Sequence, residues 1–230
     1  MQTPQDSDRE PPVENPEAEE RVQFMLRLRA RGIDDLRLLR ALERAPRALF
    51  MPQRYADIAG RDIALPIGSG QTAPPPSILA AMIQALDPAP ESRVLEIGTG
   101  TGYAAALLAQ LAAKVVSLER HRTLALEAAV RLEAFGLRNV RATWADGLAC
   151  DPREGLFDRI LVHALIEPPA PRLTELLAEG GALVAVVADD DSGQQRIVRL
   201  TRQADGEIVA GAHGAARTFM PLAHGLATAL

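Results

Sequence analysis

A glycine-rich loop near the middle of the chain carries the residues whose spacing first indicates chemistry. The segment VLEIGTGTGYAAALLA (residues 94–109) has the pattern of a buried strand, a loop with Gly98, Gly100 and Gly102, and a helix. A dinucleotide-binding loop has the spacing G-x-G-x-x-G, but Tyr103 stands where its third glycine is expected. The match to a dinucleotide site therefore fails at one position.

Three carboxylates, Glu96, Glu119 and Asp146, stand at the ends of three successive predicted strands. A carboxylate beneath the glycine loop would repel a pyrophosphate and would suit a cation such as S-adenosylmethionine, which carries a sulfonium and an ammonium group. Glu119 could accept hydrogen bonds from both ribose hydroxyls, and Asp146 could reach the adenine. Single acids of this kind are often solvated loop residues, but their placement together predicts an S-adenosylmethionine site. Its predicted cofactor-binding residues are Glu96, Gly98, Thr99, Gly100, Gly102, Glu119, Asp146 and Gly147.

Strands and helices alternate regularly from Arg93 onward, which indicates βαβ units and a largely parallel sheet. Because crossovers are right-handed, the predicted fold is an α/β, doubly wound, mostly parallel sheet of Rossmann-like type. Ligands bind such sheets at the carboxyl ends of the strands. The predicted strands are RVLEIG, KVVSLE, NVRATWAD, FDRILVHA and ALVAVVA, and the predicted helices are YAAALLAQLA, TLALEAAVRLEAFG and PRLTELLAEGG.

The flanking segments predict additions to this core. Two amphipathic helices come first, the second with Asp34 as its predicted N-cap. A short strand over residues 63–67 then leads through a glycine loop to a helix from about Ser77, and two strands joined by ADGE form a closing antiparallel hairpin. The single domain over residues 21–230 thus divides into N-terminal helices and a substrate loop (21–76), a cofactor-binding core (77–190) and the hairpin (191–230).

Composition limits the function classes. The formal net charge of −5 comes from the acidic residues 1–20, predicted to be a disordered tail. The remaining arginines are scattered among acids, so the sequence predicts no clustered basic surface for nucleic-acid binding. One cysteine and four separated histidines predict neither a disulfide nor a bound metal. With no secretory signal and no long apolar run, we expect a cytoplasmic protein without a membrane span.

Several motifs in this order resemble the protein-L-isoaspartate O-methyltransferase family. They are GIDDLRLLRALERAPRALFMP, ALPIGSGQT, VLEIGTGTGY and FDRILV, and RTFMPLAHG is similar to the last strand of that family. The resemblance covers roughly residues 21–225. VLEIGTGTGY is shared by many methyltransferases, whereas ALPIGSGQT is quite specific to this family.

The resemblance implies methyl transfer from S-adenosylmethionine to the α-carboxylate of an L-isoaspartyl residue in a damaged protein or peptide, after which the ester closes to a succinimide. A carboxylate is already ionised at neutral pH, so this reaction needs no general base. The residues that matter on the acceptor side are those that position the substrate. Gln71, Thr72 and His163 are the predicted substrate-binding residues, and Thr72 is the candidate catalytic hydroxyl.

Two departures from the family concern the acceptor side. The family reads GQTIS, with the serine hydroxyl next to the acceptor carboxylate, whereas this chain reads GQTAP and has Pro74 there. Proline offers neither a hydroxyl nor a backbone donor, and Thr72 is the nearest hydroxyl. The family also reads TAAAP where this chain has HALIEPP, so His163 replaces a threonine. His163 either orients the substrate, as a neutral donor or as a cation that attracts a carboxylate, or only packs.

Three functions from different classes stay open on the sequence alone. The first is a carboxyl methyltransferase of the repair type, or a relative with another acceptor, which ALPIGSGQT and Glu96 favour. The second is a nicotinamide oxidoreductase, which Tyr103 and Glu96 disfavour. The third is a non-catalytic protein that binds S-adenosylmethionine or a partner, which Pro74 favours. The oligomeric state is not predicted.

Overall fold

The computed structural model describes residues 16–150, 152–168, 170–189, 192–215 and 218–227. The α-helices are α1 (Pro16–Ala30), α2 (Leu36–Arg44), α3 (Pro76–Leu86), α4 (Tyr103–Leu111), α5 (Arg122–Ala134) and α6 (Pro171–Thr174). The strands are β1 (Leu65–Gly68), β2 (Gln71–Ala73), β3 (Arg93–Ile97), β4 (Lys114–Glu119), β5 (Val140–Trp144), β6 (Phe157–Leu165), β7 (Leu177–Ala188), β8 (Gln195–Arg202) and β9 (Ile208–Ala215). Short 3-10 helices lie at Arg47–Leu49, Gln53–Ile58, Gly147–Ala149 and Pro152–Glu154.

Within the described part of the chain, seven strands form one sheet in the order β5-β4-β3-β6-β7-β8-β9. The strands β3 to β7 run parallel, and β8 and β9 extend the sheet antiparallel. The chain winds outward from β3 to β5 and then crosses back to place β6 on the other side of β3. A crevice forms at such a reversal, at the carboxyl ends of the two strands. The predicted doubly wound sheet and closing hairpin are confirmed.

Both faces of the sheet are buried, because the central strands are almost uninterrupted apolar runs. Successive side chains of a strand point to opposite faces, so Val94 joins the core that α2, α3, α4 and α5 cover. Leu95 and Ile97 join the opposite core with Phe157 and the α6 residue Leu173. Each fully buried side chain of this size stabilises the fold by about 1.5–3 kcal/mol. The two cores hold β3 and β6 side by side, which fixes the ends that form the crevice.

The predicted N-cap of α2 is off by one residue. The side chain that caps the helix belongs to Asp35, whose carboxylate accepts hydrogen bonds from the backbone N–H groups of Arg37 and Leu38. The backbone N–H groups of Asp34 and Asp35 both donate to the Gln84 side-chain oxygen, at 2.9 and 3.2 Å. Two adjacent aspartates make equally good candidates in sequence, and the residue at which the helix begins decides between them.

The predicted helix over residues 171–181 is wrong beyond Thr174. After the single turn of α6, Leu177 pairs with Phe157 of β6 and Ala182 pairs with Arg159, so β7 bulges between these two pairs. Strand pairing with β6 gives this segment a backbone partner and a buried apolar surface that a solvent-facing helix lacks. Tertiary pairing therefore overrides the helical propensity of its leucine, alanine and glutamate residues.

Three further expectations need correction. The strand predicted at residues 63–67 lies at Leu65–Gly68. The segment RTFMPL forms no strand in its described part and meets the sheet through a single bridge between Leu165 and Pro221, since proline cannot donate to a ladder. The helix α1 begins at Pro16, so residues 16–20 are helical, and the rest of the predicted tail lies outside the described residues. No helix among the described residues is long and apolar enough to cross a membrane.

Candidate active site

A cavity of about 280 Å³ opens at the carboxyl ends of β3, β4 and β6, where the winding of the sheet reverses. Eight of the residues predicted for the site line it, namely Gln71, Thr72, Gly98, Thr99, Gly100, Glu119, Gly147 and His163. Glu96, Gly102 and Asp146 are not among its lining residues. The C-terminal segment 220–223 also lines it, which the sequence did not indicate because the segment carries no polar motif.

The glycine loop brings the backbone close to the neighbouring strand. Gly98 has a φ of +93°, in the left-handed region, and a Cβ atom there would lie 3.2 Å from the Cβ of His163. A side chain at this position would therefore be strained and crowded. The backbone N–H of Gly98 donates to the Leu118 carbonyl at 2.8 Å, which fastens the loop to β4. The loop thus leaves its remaining backbone groups at the cavity wall.

Glu119 holds the loop from the end of β4. One carboxylate oxygen accepts the backbone N–H of Gly100 and the other accepts the backbone N–H of His121, both at 2.9 Å. The residue is only 4% exposed and lines the cavity. An ionised carboxylate has about four acceptor sites, so Glu119 keeps capacity for two further hydrogen bonds. A pair of ribose hydroxyls has the donors to use that capacity.

Glu96 lies behind the cavity wall, completely buried. Its Oε1 lies 3.0 Å from Nε2 of His163, and its Oε2 accepts the hydroxyl of Ser117 at 2.5 Å. The Ser117 hydroxyl in turn lies 2.5 Å from that of Thr99 in the glycine loop. Glu96 therefore acts on the cavity through its neighbours. Sequence reasoning missed Ser117, whose signal is a lone small polar residue inside the apolar strand KVVSLE.

Asp146 caps the 3-10 helix that follows β5. One of its carboxylate oxygens accepts the backbone N–H of Leu148 at 2.9 Å, and the other accepts the backbone N–H of Gly225 at 2.8 Å. The residue that reaches the cavity wall here is Gly147, where any Cβ atom would overlap the side chain of Ile97. Contact between Asp146 and an adenine stays a prediction, while its fastening of the C-terminal segment is observed.

The β1–β2 hairpin forms the other side of the cavity. It brings the exposed side chain of Thr72, together with Gln71 and Pro74, to the lining. Arg47, which is 4% exposed, donates to the carbonyl oxygens of Pro74, Ala59 and Ile63. Burial lowers the pKa of Arg47, and the nearby Tyr103 and Asp62 oppose this shift. The guanidinium remains charged and ties the acceptor loop to the body of the domain.

Two buried polar atoms have no hydrogen-bond partner among the described residues: the hydroxyl of Tyr103 and Nδ1 of His163. Both residues line the cavity. Burial raises the pKa of the Tyr103 hydroxyl, and the charge of Arg47 opposes that rise. Unpartnered buried polar groups are costly, so both atoms point to a ligand that supplies their partners. Sequence reasoning had used Tyr103 only as a missing glycine.

The lining fits a cationic methyl donor better than a pyrophosphate. Glu119 stands at the wall and the buried Glu96 lies behind it, so a dianion would face two carboxylates. A sulfonium and an ammonium group are attracted by the same charges. Within the described ranges, no three histidine, cysteine, aspartate or glutamate side chains cluster as metal ligands.

Comparison with known proteins assigns the family. The family model of protein-L-isoaspartate(D-aspartate) O-methyltransferase matches residues 19–227. The chain belongs to this family. It is 43% identical to the protein-L-isoaspartate O-methyltransferase of Maricaulis maris over 91% of this chain and 96% of that protein. It is 44% identical to the corresponding protein of Rhodopseudomonas palustris, over 92% of this chain and 97% of the relative.

Solved structures agree on the fold. A putative protein-L-isoaspartate O-methyltransferase from Plasmodium falciparum, in complex with S-adenosyl-L-homocysteine, is similar with a TM-score of 0.73 and 24% identity, over 87% of this chain and 97% of that one. A second protein-L-isoaspartate O-methyltransferase gives a TM-score of 0.76 and 26% identity, over 90% of this chain and 67% of that one. As a member of this family, the protein is an S-adenosylmethionine-dependent O-methyltransferase.

Proposed function

We propose that the cavity transfers a methyl group from S-adenosylmethionine to the α-carboxylate of L-isoaspartyl residues in proteins and peptides. The observation that carries this proposal is the placement of two differently built walls around one cavity. Glu119 and the glycine loop at Gly98 and Gly100 form one wall, and Thr72 and Pro74 of the hairpin form the other. A donor and an acceptor can therefore meet between them.

The chemistry demands positioning rather than proton transfer. The bound donor supplies a methyl group already activated by the positive sulfonium, and an acceptor carboxylate is already ionised at neutral pH. The protein must hold the acceptor oxygen and the methyl carbon in line, an effect that can be worth roughly 7–11 kcal/mol. Among the described residues, the hairpin wall carries no nucleophile paired with a general base. This is consistent with a reaction that needs only positioning.

On the cofactor wall, we assign the ribose hydroxyls to Glu119, which lines the cavity and keeps acceptor capacity. The backbone of Gly98, Thr99 and Gly100 passes along the same wall. Gly147 follows β5 and lines the cavity, and we assign its backbone to the adenine side of the cofactor. Glu96 contributes through Thr99 and His163 rather than by contact.

On the acceptor wall, Gln71 and Thr72 are the assigned substrate-binding residues, and Thr72 is the hydroxyl closest in sequence to the site of the missing serine. The Gln71 side-chain amide donates to the Ser69 carbonyl at 3.3 Å, which leaves its side-chain oxygen available to a peptide. A hydrogen bond to a charged group contributes about 1.5–3 kcal/mol, so loss of the serine requires another donor to the acceptor carboxylate.

The assay that tests this function follows labelled methyl from S-adenosylmethionine into a peptide with one L-isoaspartyl residue, beside the matched aspartyl peptide. Transfer only to the isoaspartyl peptide supports the proposal. Transfer to neither peptide, with cofactor binding intact by calorimetry, would favour another acceptor or a non-catalytic role. Thr72→Ala should lower kcat, while Thr123→Ala, an exposed threonine away from the cavity lining, should leave it unchanged.

A further inference from the structure

Pro74 and His163 line the same cavity, and only the His163 side chain can donate a hydrogen bond. Pro74 has neither a hydroxyl nor an N–H, and its carbonyl oxygen accepts a hydrogen bond from Arg47 at 2.9 Å. His163 lies at the end of β6. Its ring is the unusual feature, because one nitrogen lies against a buried acid and the other has no partner among the described residues.

The His163 ring is fixed from behind. Its side chain is 10% exposed, and Nε2 lies 3.0 Å from Oε1 of Glu96, which is completely buried. The other oxygen of Glu96 accepts the hydroxyl of Ser117. Since Glu96 occupies Nε2, Nδ1 is the nitrogen left for a ligand, and it is buried without a partner in the described chain.

The proton on Nδ1 decides what this atom can bind. A buried polar group without a partner is costly. When Nδ1 carries a proton, it is a buried donor that needs an acceptor. A carboxylate is the ligand group that satisfies such a donor best.

The elements packed against His163 supply the following neighbours among the described residues. The partner strand β3 supplies Glu96, and the parallel neighbour β7 supplies the apolar stretch around Val184 and Val186. The C-terminal segment supplies residues 220–223, which carry no charge. Elsewhere on the cavity wall the titratable groups are Glu119, Arg120, His121 and Tyr103.

We propose that His163, oriented by Glu96, binds the acceptor α-carboxylate through Nδ1–H and takes the place of the serine hydroxyl that Pro74 lacks. This assignment rests on the proposed function for the identity of the carboxylate. His163 is then the acceptor-binding residue and Glu96 its positioning residue. No proton is transferred in the methylation, and Nδ1–H only holds the carboxylate in place.

The test measures the Kd of an isoaspartyl peptide, in the presence of S-adenosyl-L-homocysteine, for the wild type and variants, together with KM and kcat. His163→Ala should raise the peptide Kd and KM by about 10- to 150-fold, the range expected for one charged hydrogen bond. The Kd of S-adenosyl-L-homocysteine should stay within about twofold in that variant, which also shows that it folds. The exposed His213→Ala is the matched control, with no expected effect.

Two further variants separate this role from mere packing. Pro74→Ser in the His163→Ala background should recover at least about tenfold of the lost affinity, because it restores a hydroxyl donor at the same wall. Glu96→Gln keeps the shape of the side chain but replaces one of its two acceptor oxygens with an NH2 group, which weakens the hold on the His163 ring. Glu96→Gln should therefore raise the peptide Kd in the wild-type background and should have no further effect in the His163→Ala background.

The outcomes are distinguishable. An unchanged peptide Kd in His163→Ala, or an equal effect of Glu96→Gln with and without His163, overturns the role of His163. Peptide binding that follows the expected pattern without methyl transfer would leave the role of His163 standing and would remove the proposed function. A wild type that binds no isoaspartyl peptide overturns both.

Discussion

Arg47 donates a hydrogen bond from Nη2 to the carbonyl oxygen of Pro74 at 2.9 Å, across 27 positions of sequence. The same guanidinium also bonds the carbonyls of Ala59 and Ile63. One buried cation thus connects the acceptor loop with the segment that leads into it. The loop is held by backbone carbonyls, so its placement does not depend on which side chain occupies position 74.

Arg47→Lys should destabilise the protein by roughly 2–4 kcal/mol, since a single ammonium cannot bridge three carbonyls with the geometry of a guanidinium. Urea denaturation measures this loss. The exposed Arg54→Lys is the control and should change stability by less than about 0.5 kcal/mol. Equal stabilities of the two variants would show that the hydrogen bonds to these three carbonyls do not support the fold.

Glu119→Gln should weaken the binding of S-adenosyl-L-homocysteine by about 10- to 100-fold. One side-chain oxygen becomes an NH2 group that faces the backbone N–H of Gly100 or His121, and a ribose acceptor is lost. Isothermal titration calorimetry gives the Kd. Glu127→Gln on the exposed face of α5 should leave it unchanged, and an unchanged Kd in Glu119→Gln would contradict the ribose assignment.

Gly147→Ala should lower the free energy of unfolding by about 1–3 kcal/mol, because the new methyl group would overlap Ile97 in β3. Ile97→Val in the same chain should recover part of this loss by making room. Gly60→Ala is a suitable control, since a Cβ atom there would meet nothing within 4 Å. Thermal and urea unfolding of the three variants measures the effect.

Tyr103→Phe should alter the stability of the protein at alkaline pH. Burial raises the pKa of the Tyr103 hydroxyl in the folded chain, so the unfolded chain releases this proton first, from about pH 10. Above that pH the unfolded state binds fewer protons, and the free energy of unfolding falls by about 1.4 kcal/mol per pH unit from this residue. In Tyr103→Phe, this part of the decrease in the free energy of unfolding should be absent.

Urea denaturation of wild type and Tyr103→Phe between about pH 8 and 11 tests the alkaline prediction, and the remaining tyrosine and lysine side chains act equally in both proteins. Below pH 9 or so, Tyr103→Phe should be as stable as the wild type or more stable by about 1 kcal/mol, because it removes an unpartnered buried hydroxyl. Parallel alkaline curves would mean that Tyr103 titrates normally.

Local patterns in the sequence correctly predicted the sheet core, and they placed the glycine loop where it lines the cavity. Buried strands are apolar runs, and the loop after β3 needs glycine where the backbone turns and passes close to its neighbour, as at Gly98. These requirements are local, so they leave a mark in a short stretch of sequence. The same reasoning placed Glu119 at the cavity, because parallel strands end at one edge of the sheet.

Helix and strand patterns were ambiguous where a segment has two possible partners. Residues 175–181 have helical spacing, yet Leu177 pairs with Phe157 in β6. Asp34 and Asp35 are both good caps in sequence, and the start of α2 at Leu36 in the folded chain makes Asp35 the cap. Such choices depend on what the rest of the chain offers as a partner, which no local window contains.

The sequence by itself determined the fold class, the methyltransferase loop and the identities of the groups on both walls, since strand periodicity and turn geometry are local properties of the chain. Only the tertiary structure decided what those groups do. It buried Glu96 between Ser117 and His163, and it joined Arg47 to the carbonyl of Pro74. These partners are distant in sequence, and their pairing follows from the need to satisfy buried charges in a packed interior.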